Sequence, residues 1–396
     1  MLHIGIAGGG IGGVSAALFL KRAGFQVEVF EKTRALAEVG AGINISPNAA
    51  KLLHVLGLRS QLSDMGVVPE AWHQRRWDDG QTLQWSPLAK PVEEAFGAPQ
   101  YQMHRSDLLD LLSSQLDEDH LHTGCELIDL TDGDDDVTIT FADGVRRSFD
   151  LVIGADGIHS RTREFLFGPS QPIFKNCIAY RGLIPSERVK ALQIPVEAQI
   201  WVGPGRHFVN YYVRNGSLLN FVANVDRSDW REESWTQSGD VAELRTEFDG
   251  WHPQVRAILA AVSETFTLAL HDRKPLPRWT RGRVALLGDA CHPMEPHLAQ
   301  GAAQAIEDGA ALAACLSANP ADAIGALNRY EQLRLARTSR IQGMADANRR
   351  TFHLPDGPEQ RQRDAALKSN KMGFAISSIG WLYGHDAGNI NYSGDT

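Results

Sequence analysis

Glycines 8, 10 and 13 separate an apolar β-type run, Leu2-His-Ile-Gly-Ile-Ala7, from a helix-type run, Val14-Ser-Ala-Ala-Leu-Phe-Leu20. Glycine at the first of these positions permits a tight turn, at the second it lets the backbone approach a pyrophosphate, and at the third it lets helix and strand pack closely. The helix N-terminus then offers N–H donors and positive potential to phosphates. A second β run, Gln26-Val-Glu-Val-Phe-Glu31, ends in an acid 18 residues beyond Gly13, a spacing suited to a ribose hydroxyl. Strand, glycine turn, helix and spaced acid together predict a dinucleotide site; the glycines alone would be compatible with a plain strand-to-helix turn.

Two more glycine turns follow apolar runs, Leu151-Val-Ile-Gly154-Ala-Asp156-Gly157 and Val284-Ala-Leu-Leu-Gly288-Asp289. They carry two carboxylates, Asp156 and Asp289, to strand ends where the same ligand would lie. His207 and Tyr211 stand four residues apart in a run that reads as a strand, so their side chains share a face and Tyr212 takes the other. Both suit a substrate carboxylate or ring heteroatom, with ordinary sheet packing as the competing reading. Cys291, His292 and His297 are metal-ligand types, but prolines intervene and no further ligand set is evident, so no metal is expected. The acidic run Asp132–Asp136 lacks the ligand spacing of a calcium loop and reads as a hairpin tip.

These groups need a scaffold, and 396 residues allow about two domains. Residues 1–71 read as the first part of a nucleotide-binding domain, with the loop Gly40–Asn48 leading into a helix from Ala49 to Leu56. Residues 72–100, where Trp72, Trp77 and Trp85 alternate with polar residues, read as an excursion of short antiparallel strands. The nucleotide domain resumes at 101–172, an antiparallel substrate domain fills 173–277, the nucleotide domain ends at 278–345 with a helix from Gly301 to Leu316, and 346–396 is a helical C-terminal segment. The expected fold class is therefore α/β, a Rossmann-like domain interleaved with an antiparallel β-sheet domain, with a helical C-terminus. A net charge of −9 without a basic stripe argues against nucleic-acid binding. No apolar run reaches the roughly 18 residues of a membrane span. The four cysteines form no CxxC pair, and the first strand begins too near Met1 for a signal peptide, so a reduced, cytoplasmic setting is expected.

With its motifs in this order, the chain resembles the FAD-dependent aromatic hydroxylases of the 4-hydroxybenzoate hydroxylase fold over most of residues 1–345. Strings similar to Leu287-Gly-Asp-Ala-Cys-His-Pro-Met-x-Pro-His297-x-Ala-Gln-Gly301 and Arg206-His207-x-x-x-Tyr211-Tyr212 occur in salicylate hydroxylases and 6-hydroxynicotinate 3-monooxygenases. The resemblance implies noncovalent FAD, with Gly12, Glu31 and Lys32 on its ADP portion, Arg105 by the pyrophosphate, Leu127 by the adenine and Asp289 on the ribitol. The backbone from His297 through Gly301 and Ala302 would face the isoalloxazine, and Asp156-Gly157 with Arg161 and Arg163 would serve both nucleotides. Because a single fingerprint is present, NADH or NADPH is expected as a transient co-substrate. The implied reaction is reduction of FAD, capture of O2 as a flavin C4a-hydroperoxide, and hydroxylation of a small aromatic or heteroaromatic acid, with or without loss of its carboxyl group.

Such a ring must be made nucleophilic, and lowering a phenol from about pKa 10 to about 7 takes roughly 4 kcal/mol. His297 is the expected base, since imidazole titrates near neutrality and its loop would face the flavin; a histidine satisfied by backbone is the alternative. Asn44 and Tyr211 are expected on the substrate, and Arg181, Arg75 and Arg206 are candidates for a carboxylate clamp. Asn44 stands where the hydroxynicotinate enzymes carry histidine, and Ala198 where they carry cysteine. Asparagine can hydrogen-bond a ring substituent but cannot act as a base. A second class of function, a flavin-binding redox sensor or interaction module without turnover, would show no substrate-stimulated NAD(P)H oxidation. The C-terminal stretch Gly373–Thr396 is apolar enough to pack, over the substrate domain or in a homodimer.

Overall fold

The computed structural model describes residues 1–36, 41–228 and 237–389. Gly40 and the last seven positions of the C-terminal stretch, 390–396, therefore lie outside the described residues. The glycine fingerprint sits between strand β1 (His3–Ala7) and helix α1 (Ile11–Arg22), and β1 pairs in parallel with β2 (Gln26–Glu31). Parallel neighbours Leu151–Gly154 and Leu121–Thr123 extend the sheet on either side, followed on the first side by Val284–Leu286 and an antiparallel edge strand, Thr280–Arg281. Both faces are covered, so Ile4, Ile6, Val152, Ile153 and Leu286 are fully buried, as a near-continuous apolar run in a parallel strand requires. All three glycine turns leave the carboxyl ends of adjacent strands, where ligands of open α/β sheets bind.

A second, eight-stranded sheet runs in the order 237–238, 266–272, 173–185, 218–226, 206–213, 198–203, 71–76, 82–87. Its contacts are antiparallel except one: Ala71–Arg76 joins Ala198–Gly203 in parallel. The excursion at 72–100 thus delivers two strands to the edge of this sheet. Alternation sorts its residues between two faces. Trp201, Phe208, Phe221 and Tyr180 pack beneath the helices Val241–Glu247 and Pro253–Ala260, while His207, Tyr211, Asn224 and Arg181 face the nucleotide domain.

Helix Gly301–Ala318 packs along α1, and the chain continues into a 30-residue helix, Ala323–Phe352. The division placed at 345/346 falls inside this continuous helix. Helices Pro358–Lys368 and Ile376–Tyr383 follow, and Phe374 stacks on Trp72 with ring centroids 4.7 Å apart. Among the described residues, no helix is long and apolar enough to cross a membrane.

Candidate active site

The glycine turn shows which of its members serve the fold and which leave room for a ligand. Gly8 has φ +112°, and a Cβ there would lie 2.3 Å from the Ala155 carbonyl oxygen; a Cβ at Gly13 would lie 2.0 Å from the Gly8 carbonyl oxygen. Neither position tolerates a side chain. Gly10 differs, for a Cβ there would meet nothing within 4 Å among the described residues. Gly10 also heads α1 without a side-chain cap, so the first N–H groups of that helix are open to a ligand.

These groups border a cavity of about 410 Å³ shared by the nucleotide domain and the eight-stranded sheet. It brings together Gly10, Gly12, Arg105, Asp289, Gly301 and Ala302 from the nucleotide side with Asn44, Arg181, His207, Tyr211 and His297. Asp289 exposes its carboxyl to this cavity, and its desolvated surroundings raise the carboxyl above the usual range, partly offset by His292 and Arg105. Helix Gly301–Ala318 also begins at the cavity wall without a side-chain cap. Two open helix N-termini, the clear space before Gly10 and a cavity-facing carboxylate form a donor and acceptor set that fits a dinucleotide's phosphates and polyol.

Other expected cofactor residues have different surroundings. Glu31 accepts from the Gly9 N–H at 2.8 Å and the Thr33 N–H at 2.8 Å, bracing the glycine turn at the end of β2. Lys32 is exposed beside it, and Leu127 is buried in the core of the nucleotide domain. Asp156 accepts from Ser160 Oγ and from the Thr162 N–H and hydroxyl, so its carboxylate secures the start of helix Arg161–Phe167 rather than lining the cavity. Arg163 is buried and donates to the Ala290 and Ile158 carbonyls, tying two glycine turns together; Arg161 is exposed and pairs with Glu164. Asp156 is thus a scaffold residue in this arrangement.

The loop after Asp289 rests on a buried ionic cluster that sequence patterning did not reveal. Asp308 accepts from the Gly288 N–H at 2.9 Å, His292 at 2.6 Å and Arg334 at 2.8 Å, while Arg337 bonds Glu307 at 2.8 Å. Burial alone would raise the Glu307 carboxyl, but Arg337 and Arg334 overrule it and hold it far below its usual range. Cys291, His292 and Asp308 have ligand atoms within 4.8 Å of one another, a different trio from the one weighed in the sequence because His297 points elsewhere. Asp308 is already committed to three donors, so this is the geometry of an ion-pair anchor.

At the cavity wall, His297 Nε2 lies 3.2 Å from Glu295 Oε2, and its ring meets that of His207 at a centroid distance of 5.0 Å. Burial lowers the proton affinity of His297, and Glu295 opposes that shift. His207 is pushed well below the usual imidazole range by burial, reinforced by His353 and His297. Asn224 donates to His207 Nε2 at 2.9 Å, which places the His207 proton on Nδ1, 2.6 Å from His353 Nε2. His353 Nδ1 in turn lies 2.9 Å from Asp226. Burial thus favours the neutral form of both imidazoles, which differ in their backing groups, His207 being connected through His353 to Asp226 and His297 held by Glu295.

Tyr211 lies beside Asn44 and is fully enclosed; burial pushes its phenol up to about 12, so it is a neutral donor. Arg181 Nη2 donates to the Gly42 carbonyl at 3.3 Å, in the same strand as Asn44, and lines the cavity next to Tyr211. The other two clamp candidates are corrected by their partners. Arg75 lies over the Trp201 ring at 4.1 Å and donates to Gln254, and Arg206 pairs with Glu247 at 2.9 Å, away from the cavity. Tyr212 donates to the Ile194 carbonyl on the opposite face of the sheet from Tyr211.

Residues 1–343 match the FAD binding domain family. The chain belongs to this family of FAD-dependent aromatic hydroxylases. It is 38% identical over 387 residues to 3-amino-4-hydroxybenzoate 2-monooxygenase of Streptomyces cremeus, covering 98% of this chain and 96% of the relative. It is 39% identical over 355 residues to 6-hydroxynicotinate 3-monooxygenase of Pseudomonas fluorescens, covering 87% and 91%. Among solved structures, HpxO of Klebsiella pneumoniae in complex with FAD and uric acid superimposes with a TM-score of 0.84 at 28% identity, covering 98% of this chain and 96% of that one. This flavoprotein hydroxylase thus has, in one cavity, the open glycine turn that suits FAD and the polar side chains of Asn44, Arg181, His207, Tyr211 and His297.

Proposed function

We propose that this flavoprotein hydroxylates a small aromatic acid carrying a ring hydroxyl, using NAD(P)H and O2. The carrying observation is that one cavity joins the phosphate-binding turn at Gly10 to His297, His207, Tyr211 and Arg181. When bound, FAD supplies the redox chemistry that turns NAD(P)H and O2 into an electrophilic oxygen. The protein's own groups do the rest. Arg181, Tyr211 and Asn44 bind the carboxylate end, with Tyr211 as a neutral donor and Arg181 as the charge that offsets the anion. His297 takes the proton of the ring hydroxyl at its Nδ1, which is enclosed and has no hydrogen-bond partner among the described residues, and Glu295 at Nε2 favours the resulting imidazolium. Enclosure by Ile200, Val209, Leu298 and Phe352 keeps water from the reacting ring.

Asn44 and Ala198, where the hydroxynicotinate enzymes differ, and the fuller coverage of the aminohydroxybenzoate relatives favour a hydroxylated benzoate over a pyridine. The test is NADH and NADPH oxidation by the FAD-loaded protein across hydroxybenzoates, aminohydroxybenzoates and hydroxypyridine carboxylates, beginning with 3-amino-4-hydroxybenzoate. The expected result is substrate-stimulated oxidation with a product heavier by one oxygen, or one that has exchanged CO2 for it. A basal oxidation rate left unaltered by every acid in the panel would move the protein to the class of flavin-binding modules without turnover.

A further inference from the structure

Two carboxylates stand behind the cavity histidines, and a single guanidinium holds both. Arg349, in the last turn of helix Ala323–Phe352, places Nη1 3.1 Å from Asp226 Oδ1 and Nε 3.0 Å from Glu295 Oε2. Glu295 reaches His297, and Asp226 reaches His207 through His353. The two lines meet again where the rings of His297 and His207 touch.

We propose that Arg349 is a positioning residue that reinforces burial at this histidine pair, dividing its charge between both carboxylates so that Glu295 does not hold His297 protonated before it can accept a proton. The proposal rests on the reading of His297 as the base. A carboxylate buried like Glu295, 3.2 Å from an imidazole and poorly screened by solvent, favours the charged imidazolium. A histidine already protonated accepts nothing from a ring hydroxyl.

The neighbouring cations are shared with other acids. Lys175 Nζ lies 3.6 Å from Glu295, but it also holds Asp272 at 3.0 Å and Asp346 at 2.9 Å, so its charge is spread over three acids. Arg350 pairs with Asp346, the acid that also holds Lys175 and lies within hydrogen-bond reach of Glu295. The buried Cys177 thiol beside Asp226 is held neutral by desolvation. Asn348, one residue before Arg349, donates to the His297 carbonyl at 3.0 Å and fixes the loop without adding charge.

The experiment is a histidine-labelled NMR titration of the FAD-loaded protein, with His297 assigned by its loss in His297→Gln. Arg349→Gln is expected to raise the His297 midpoint by about one pH unit or more, and Glu295→Gln to lower it, because removing a cation and removing an anion act in opposite senses. Arg349→Lys should restore most of the original midpoint. In turnover the acid limb of kcat/KM should follow, costing Arg349→Gln about tenfold on the acid side while its alkaline plateau is retained. Asp226→Asn, at a partly exposed site, leaves Arg349 undivided on Glu295 and is expected to lower the midpoint, so the same role is tested even if Arg349→Gln does not fold. Midpoints that stay fixed, or that move the same way in Arg349→Gln and Glu295→Gln, would overturn the proposal. Absence of turnover with every acid would instead sink the hydroxylase reading and leave the titration intact.

Discussion

The chemistry assigned to His297 depends on one nitrogen facing Glu295 and the other being available to a ring hydroxyl. His297→Gln keeps a polar side chain in the loop but removes the base. The variant should bind FAD normally, lose about 100-fold in the hydroxylation rate and divert reducing equivalents to hydrogen peroxide, as read by rapid-mixing absorbance and peroxide assay. Tyr211 has a simpler task, and Tyr211→Phe should weaken aromatic-acid binding by about fivefold, the worth of one hydrogen bond near 1 kcal/mol. Because burial keeps its phenol neutral up to about 12, that deficit should be constant from about pH 6 to about pH 9 when followed by perturbation of the flavin spectrum. His207, Tyr211 and His297 were legible because their residue types and spacing pointed to one face and one loop. Their partners were not: His353 is 146 positions from His207, and nothing in local spacing connects them. Glu295 carried a visible signal, an acid two residues before the histidine, which only the folded loop distinguishes from a surface charge.

Turns and helices decide whether the cavity exists at all. Gly13→Ala pushes a Cβ into a backbone oxygen, so it should destabilise the apoprotein by about 1–3 kcal/mol in urea denaturation. Gly10→Ala meets nothing within 4 Å among the described residues; its apoprotein should stay within about 1 kcal/mol of the parent, yet bind FAD about tenfold more weakly in fluorescence titration. Equal loss of FAD affinity and fold stability in Gly10→Ala would deny that its open face is the ligand's. The glycine turns and alternating strands could be read from periodicity, because a pattern of two or of 3.6 is a local property. Arginine roles could not, since Arg75 and Arg206 acquire their partners, Trp201 and Glu247, only on folding. The buried Glu307-Asp308 pair was hidden similarly: acids in a helix read as a solvated face until Arg334 and Arg337 arrive from the next helix.

The two sheets are interleaved in the chain so that neither can form the cavity by itself. Strands Leu151–Gly154 and Val284–Leu286 bring their glycine turns to the fingerprint, while 173–272 supplies most of the facing sheet between them. Helix Ala323–Phe352 spans the seam, anchoring the Asp289 loop through Arg334 near its middle and the histidine carboxylates through Arg349 at its end. That continuity explains why a boundary drawn at 345 from sequence falls within one element: a helix serving both halves shows no change of composition where its contacts change. In the proposed function, this shared cavity delivers oxygen from O2 to an aromatic ring. The decisive experiment incubates the FAD-loaded protein with NADH or NADPH, 3-amino-4-hydroxybenzoate and oxygen-18 gas and measures the mass of the aromatic product. One heavy oxygen atom is expected in the newly formed ring hydroxyl; an unchanged aromatic acid, with all the label in peroxide and water, would rule out oxygen transfer to the ring.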